Sequence, residues 1–424
     1  MVMGLDEGSV QAHIRGAAPL ADPQPRLSRR AAVRHLLLAT SVLALTACQG
    51  SAAPNPGPRI ASTTSVAVSN ADIVERVAAW VRARPSRSWN NDWGETVQMY
   101  GLAHAGQVLH SPASVEYVTR WATERVAAGV TLTPPTSPID WNRYYTGPQM
   151  HITGYCGSWG CDLVVPALQN PRPALQALQQ QIISYITTTA DRTGEGGLRH
   201  GGGRETYCLD TLYFSVPGLA HWGARHRDTS TITDGARQVT LHAHRLQDTK
   251  TGLFYHAWNE PASWTSSALW ARGNGWVAMT LAEWLTVAPA NHPDRAAMRA
   301  FLERLVQALL PLQTPGGLWR TVLDRADSYE ETSASAMFTF AIARAIRLGL
   351  LDTVARRAAV RCRTALQAYV AADGAVTGVS AGTDPGDAIH YMSIPRGTYP
   401  WGTGAWLLAV AECALLDTAV NFFT

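Results

Sequence analysis

From residue 71 onward, apolar residues recur at helical spacing in run after run, and the period-two alternation of a half-buried strand is nearly absent. The chain is therefore read as all-α. Helices are expected at about 71–82, 92–106, 112–128, 159–169, 172–190, 208–225, 229–247, 268–288, 293–312, 330–349, 352–371 and 402–417, about twelve in all. Alternate members of this series differ in kind. Even-numbered ones contain long stretches with few charges, such as Leu212–Ala220, Val277–Leu285, Ala336–Ala345 and Ala405–Ala411, whereas odd-numbered ones carry Arg, Gln, Glu and Asp along one side. A helix that is apolar nearly all round is buried, and one with a polar stripe faces water. Alternation of the two kinds describes an inner ring of helices within an outer ring, an (α/α)6 barrel.

The 424 residues, 46% of them hydrophobic, suffice for a large core. Residues 1–48 read as an export leader. Ser28-Arg29-Arg30 before Ala31-Ala32-Val33-Arg34 resembles a twin-arginine signal, and the apolar run Leu36–Ala47 matches a signal h-region while being too short to span a bilayer. The run closes in Leu45-Thr46-Ala47-Cys48, which resembles a bacterial lipobox and makes Cys48 the lipidated first mature residue; plain cleavage at Ala47 is the alternative. Residues 49–70, rich in Ser, Ala, Pro and Asn, form a flexible tether, which leaves 71–424 for the barrel domain. The expected location is the bacterial cell surface or periplasm, with the membrane touched only through the lipid.

A net charge of +3, with no basic tract beyond the N-terminus, argues against nucleic acid as a partner. Fifteen Trp against seven Phe is unusual, and flat indoles suit stacking on sugar rings as well as core packing. Five cysteines remain once Cys48 is set aside. Cys156 and Cys161 are close enough to pair, Cys362 and Cys413 lie in helical runs, and Cys208 stands two residues from Asp210; the odd total leaves at least one free thiol. No CxxC pair or His cluster accompanies them, which argues against a zinc site, and no cofactor is expected.

Gly, aromatic and polar residues concentrate in the segments entering the even helices: Trp89–Glu95, Thr153–Asp162, His200–Asp210, Phe254–Trp276, Asp324–Ser335 and His390–Gly404. All six converge on one end of a barrel, where helix N-termini offer free N–H groups and the positive end of the dipole to an anionic ligand. Asp210 is the leading candidate there. It lies in Glu205-Thr206-Tyr207-Cys208-Leu209-Asp210-Thr211-Leu212-Tyr213, where a carboxyl group opens an apolar helix and is a potential proton donor.

At these loops the sequence resembles the unsaturated glucuronyl and rhamnogalacturonyl hydrolases, glycoside hydrolase families 88 and 105, and more closely the latter. The likeness runs from about Trp89 to the C-terminus. It is carried by Asp210-Thr211-Leu212-Tyr213 with Val216-Pro217, by Trp270–Trp276, by Asp327-Ser328-Tyr329-Glu330-Glu331-Thr332-Ser333, and by Trp401-Gly402-Thr403-Gly404-Ala405. The resemblance implies an (α/α)6 barrel, no metal, and removal of a 4,5-unsaturated uronic acid from the non-reducing end of a lyase-generated oligosaccharide. In that chemistry a carboxylic acid protonates C4 of the double bond, water adds at C5, and the resulting hemiketal opens to release the aglycone.

Matching the family's motifs makes Asp210 the catalytic residue and His256 a substrate-binding residue. Arg272 is the candidate for a bidentate grip on an anionic or multiply hydroxylated sugar. Asn274 and Trp276 accompany it, with Gly273 and Gly275 letting the backbone approach the ligand. Trp89, Asp92 and Trp93 are expected to line the far wall, and Glu330, Glu331 and Ser333 to hold an inner helix. The plainer roles are a dipole-stabilising carboxylate for Asp210, an internal ion pair for Arg272 and a satisfied structural histidine for His256. One departure stands out: where the family carries a second aspartate, this chain reads Gly154-Tyr155-Cys156-Gly157-Ser158-Trp159-Gly160-Cys161-Asp162, with Asp162 shifted into the helix. That keeps two alternatives open, a glucuronidase of saturated uronosides and a non-catalytic glycan-binding lipoprotein.

Overall fold

The computed structural model describes residues 70–89, 93–128, 130–132, 150–152, 172–200, 207–260 and 262–420. The leader, the tether, the Cys156–Cys161 loop, Asp162, the helix expected at 159–169 and Asp92 lie outside them. Contacts group Val66–Thr424 as one compact unit.

Twelve α-helices are present among the described residues: α1 Asn70–Arg82, α2 Trp93–Val108, α3 Pro112–Ala128, α4 Pro173–Thr188, α5 Leu209–His226, α6 Thr229–Leu246, α7 Ala271–Val287, α8 Arg295–Leu309, α9 Thr332–Arg347, α10 Thr353–Leu366, α11 Ala388–Ser393 and α12 Pro400–Val420. Eleven of them fall on expected helices. The six-residue α11 was not anticipated, because its short stretch lacks a full helical period.

α2, α5, α7, α9 and α12 form the inner set. They are buried along most of their length, and α2 packs on α12, α12 on α9, α9 on α7 and α7 on α5. α3, α6, α8 and α10 cover α2, α5, α7 and α9 from outside. The closest approach is between α2 and α12, where a Cβ on Gly101 would stand 2.3 Å from the Gly404 carbonyl oxygen. Any side chain there would force apart two backbones that are already in contact.

Helix starts are set by side chains that accept from free N–H groups. Asp228 caps α6 through Ser230 and Thr231, and Asp352 caps α10 through Val354 and Ala355. Glu331 does the same for α9, its two oxygens taking the Ser333 and Ala334 N–H groups and the Ser333 hydroxyl.

Nine short strands accompany the helices among the described residues. β1 Val130–Leu132 pairs in parallel with β2 Met150–Ile152. β3 Tyr207–Cys208, β4 Ala257–Asn259 and β5 Trp264–Thr265 form an antiparallel sheet. β6 Trp319–Arg320 pairs with β7 Glu330–Glu331, and β8 Val379–Ser380 with β9 Arg396–Gly397. Strands of two or three residues leave almost no periodic signal, which explains why they are invisible in the sequence. They stiffen the loops entering α5, α7, α9 and α12, and β3 and β7 run straight into their helices.

Candidate active site

β3 ends at Cys208 and α5 starts at Leu209, so Asp210 sits in the first turn of a helix anchored by a sheet. The Leu209 N–H donates to the His256 carbonyl at 3.0 Å, which ties the start of α5 to the start of β4. His256 Nε2 lies 3.0 Å from Asp210 Oδ2, and Cys208 Sγ lies 3.5 Å from the same oxygen. The His256 side chain is 2% exposed and that of Asp210 is 18% exposed, so the carboxyl reaches solvent while its partner does not.

Behind His256, Nδ1 is 2.8 Å from the Tyr391 hydroxyl, which accepts the Gly386 N–H at 2.9 Å. An ionised Asp210 needs a proton on Nε2. Nδ1 is held by the Tyr391 hydroxyl at the same time, so both ring nitrogens are engaged and the imidazole is oriented from the rear. Trp270 completes the wall, its ring 4.2 Å from that of His256 and stacked at 5.3 Å on Tyr391. Tyr391 lies on α11, far from Asp210 in sequence, and His200 stands nearby with Nδ1 2.9 Å from the Thr211 hydroxyl. Neither was singled out from sequence, although both fall within segments rich in polar and aromatic residues.

Burial pushes the Asp210 pKa up, but the hydrogen bond and charge of His256, with His200 and Arg272 further away, outweigh it and hold the carboxyl below its ordinary value. Asp210 is therefore ionised in the free protein. Burial drives His200 down to about 4 and His242 down to about 3. For both histidines the unfolded chain binds the proton more readily, so stability is fully present above about pH 6.5 and drains away as pH falls toward the folded values. We expect about 2 kcal/mol lost per histidine by about pH 5, read as a falling urea midpoint; replacing His242 by Gln should flatten that slope.

The other candidates separate into two groups. Trp93 is partly exposed and stacks on Trp401 at 4.5 Å, and Trp401 in turn stacks on Tyr399 at 4.7 Å. These rings line the mouth where α2 and α12 begin. Trp276 is fully buried beneath them, stacked on Tyr213 at 4.8 Å, and acts as foundation. Trp89 is 4% exposed, donates from Nε1 to the Tyr117 hydroxyl at 2.7 Å and lies under the Arg84 guanidinium. Its ring is engaged within the fold and is not free to form a wall of the mouth.

Arg272 and Asn274 also differ from expectation. The Arg272 side chain is buried between Trp270 and Trp401, with NH1 donating to the Ser380 carbonyl and hydroxyl at 2.8 and 2.5 Å and NH2 to the Ala381 carbonyl at 2.7 Å. Both NH groups of the fork are thus taken up by Ser380 and Ala381, and only Nε has no hydrogen-bond partner among the described residues. Asn274 clamps its own loop, accepting the Phe254 N–H and donating to the Phe254 and Trp270 carbonyls. Arg272→Ala is accordingly expected to lower stability by on the order of 3 kcal/mol, since three charge-assisted bonds to buried acceptors are lost. Arg272→Lys should recover only a fraction of it. A melting temperature unchanged in the Ala variant would return Arg272 to a role in binding.

Asp210, His256 and Cys208 each present a potential ligand atom, and these lie within 4.8 Å of one another. The short His256–Asp210 contact already gives two of those atoms a partner without an ion.

A family model described as Glycosyl Hydrolase Family 88 matches residues 66–416. The unsaturated rhamnogalacturonyl hydrolase YesR of Bacillus subtilis is 29% identical over 330 residues, covering 76% of this chain and 89% of its own. Among solved structures, a possible member of family 105 from Salmonella enterica superposes with a TM-score of 0.71 at 21% identity, over 87% of this chain and all of the other. The unsaturated glucuronyl hydrolase of Bacillus sp. GL1, responsible for the degradation of glycosaminoglycan, gives 0.58 at 16% identity, over 80% and 94% of the two chains. At these identities the structural likeness establishes the helical barrel and nothing finer.

Proposed function

The chain belongs to glycosyl hydrolase family 88 and is a glycoside hydrolase of the unsaturated uronyl type, and from that premise we propose that it removes a 4,5-unsaturated uronic acid from the non-reducing end of lyase-generated oligosaccharides, with Asp210 as proton donor. The reading rests above all on the Asp210–His256–Tyr391 chain: a solvent-reaching carboxyl at the start of an inner helix, oriented by a buried imidazole.

In the proposed reaction Asp210 transfers its proton to C4 of the vinyl ether, and positive charge spreads to C5 and the ring oxygen. Water attacks C5 and gives a proton back to the Asp210 carboxylate, so the residue ends as it began. The hemiketal then opens and the aglycone leaves, one water having been consumed. Asp210 is ionised in the free protein and must first gain a proton. The substrate assists, because a uronate carboxylate close to Asp210 places like charges together and raises the pKa of the acid. Positive helix ends at the mouth and the partly exposed Trp93 ring supply attraction for the anion and a face for its ring.

Following the ultraviolet absorbance of the conjugated uronate in lyase digests of several polysaccharides tests this reading. The proposed enzyme abolishes the absorbance. Release of saturated glucuronic acid from glucuronosides, with the absorbance of unsaturated digests untouched, would overturn it in favour of a saturated-uronoside hydrolase. We further propose export to the cell surface or periplasm and lipidation at Cys48, motivated by the lipobox-like residues Leu45–Cys48. Mass spectrometry of the mature N-terminus, compared with that of Cys48→Ser, decides it: an unlipidated wild-type N-terminus is incompatible with the anchor.

A further inference from the structure

The sheet that carries the catalytic segment continues outward and ends in an exposed indole. β3 pairs with β4 through Tyr207↔Trp258 and Cys208↔Ala257, and β4 pairs with β5 through Trp258↔Thr265 and Asn259↔Trp264. Side chains alternate along a strand and cross-strand partners share a face. Cys208, Ala257, Asn259 and Trp264 therefore lie on one face, and Tyr207, Trp258 and Thr265 on the other.

Contacts identify both faces. Tyr207 stacks on Trp258 at 5.8 Å and meets His242 of α6 in a tilted contact at 4.6 Å, while Arg245 of α6 lies over Trp258; this face is turned to the outer helix. The opposite face holds the buried Cys208, whose sulfur is 3.5 Å from Asp210 Oδ2, and so is the face on the Asp210 side. Along it the small Ala257 is followed by Trp264, 40% exposed and one of three large hydrophobic residues exposed among the described residues. The tip that presents it is pinned by Asn259 Oδ1, which accepts the Ala262 N–H at 2.9 Å. Strand spacing and rise put Trp264 on the order of 12 Å from Cys208, beyond the ring that carries the scissile bond.

We propose that Trp264 is a stacking platform for a sugar of the leaving oligosaccharide, a subsite on the aglycone side that favours longer chains. The occupant is a pyranose ring of the substrate: the surface is flat and apolar, it faces the same side as Asp210, and it is joined to the catalytic segment by hydrogen-bonded strands. An indole exposed in this way covers the apolar face of a sugar and leaves the hydroxyls in water. The proposal rests on the saccharide substrate proposed above, and its test separates the two.

The full chain, Trp264→Ala and Trp264→Phe are compared on an unsaturated disaccharide and an unsaturated tetrasaccharide from one lyase digest. The Ala variant is expected to lose about threefold to tenfold in kcat/KM on the tetrasaccharide, mostly through KM, with the disaccharide unchanged and Phe restoring most of the loss. Calorimetric binding of both sugars to Asp210→Asn, with and without Trp264→Ala, reads the same preference in the absence of turnover. A chain-length-dependent loss of affinity supports the platform even if no absorbance is destroyed, in which case it is the reaction assignment that fails. Equal losses on both sugars, or none on either, overturn it.

Discussion

Asp210→Asn is expected to lower kcat by at least about two orders of magnitude, the usual worth of a positioned general acid, with oligosaccharide binding retained. The amide keeps the shape, and its Oδ1 can still accept from His256 Nε2, which lies 3.0 Å from the native carboxylate. What is removed is the carboxylate charge and with it the capacity to take up and transfer a proton. The native pH profile should carry a matching signature. His256 holds the free carboxyl low, so kcat/KM, which reports the free enzyme, should rise as pH falls until the buried histidines begin to destabilise the fold. In kcat that limb should lie at higher pH, because the bound uronate raises the pKa of the acid. Destruction of the absorbance at a near-native rate by folded Asp210→Asn would eliminate Asp210 and the mechanism built on it.

The largest loss of stability is expected from Arg344→Met, deep in the barrel. Arg344 lies between two carboxylates whose side chains are fully buried, with NH1 2.6 Å from Glu283 and NH2 2.5 Å from Glu412. The Tyr100 hydroxyl donates to Glu283 at 2.6 Å, His221 stands 3.0 Å from Glu283, and His104 stands 3.1 Å from Glu412. Burial pushes Glu283 up, yet Arg344 and the hydrogen bonds of His221 and Tyr100 hold it down at about 2. Methionine fills much of the space and leaves two buried like charges without their shared counter-ion, a loss of about 3–5 kcal/mol. The pH dependence is the discriminating measurement. In the variant Glu412 keeps Arg347 at 3.2 Å, whereas buried Glu283 loses its arginine; the folded pKa of Glu283 should rise above its unfolded value, so its protonation favours the folded state and the deficit shrinks as pH falls toward about 5. A deficit independent of pH would mean that packing, not charge, is what Arg344 contributes.

That network marks a boundary of what could be read from sequence. Its members come one or two at a time from α2, α5, α7, α9 and α12. Within each helix they are isolated polar letters in apolar runs, and nothing local indicates that they meet. Arg272 is a similar case: its guanidinium made it the candidate for a bidentate grip on a sugar, but its partners are carbonyls of Ser380 and Ala381, more than a hundred residues away.

The helices themselves were legible because periodicity is local. A run such as Val277–Leu285 states its own burial, and alternation of such runs with polar-striped ones implies two rings before any contact is known. Asp210 was legible for the same reason, as a carboxyl placed by its neighbours at the start of an apolar helix. Which side chains surround it was decided only by the fold. His256 and His200 arrive from two other loops and Tyr391 from the short α11, and short strands with no periodic signature help to set their distances. The direction of the Asp210 pKa depends on those distances: burial raises it, while charges and donors brought within reach by tertiary packing lower it and prevail. Local pattern determined the helices and pointed to Asp210; the direction of its pKa and the division between exposed and structurally engaged residues are sums over long-range contacts, which exist only once the barrel has closed.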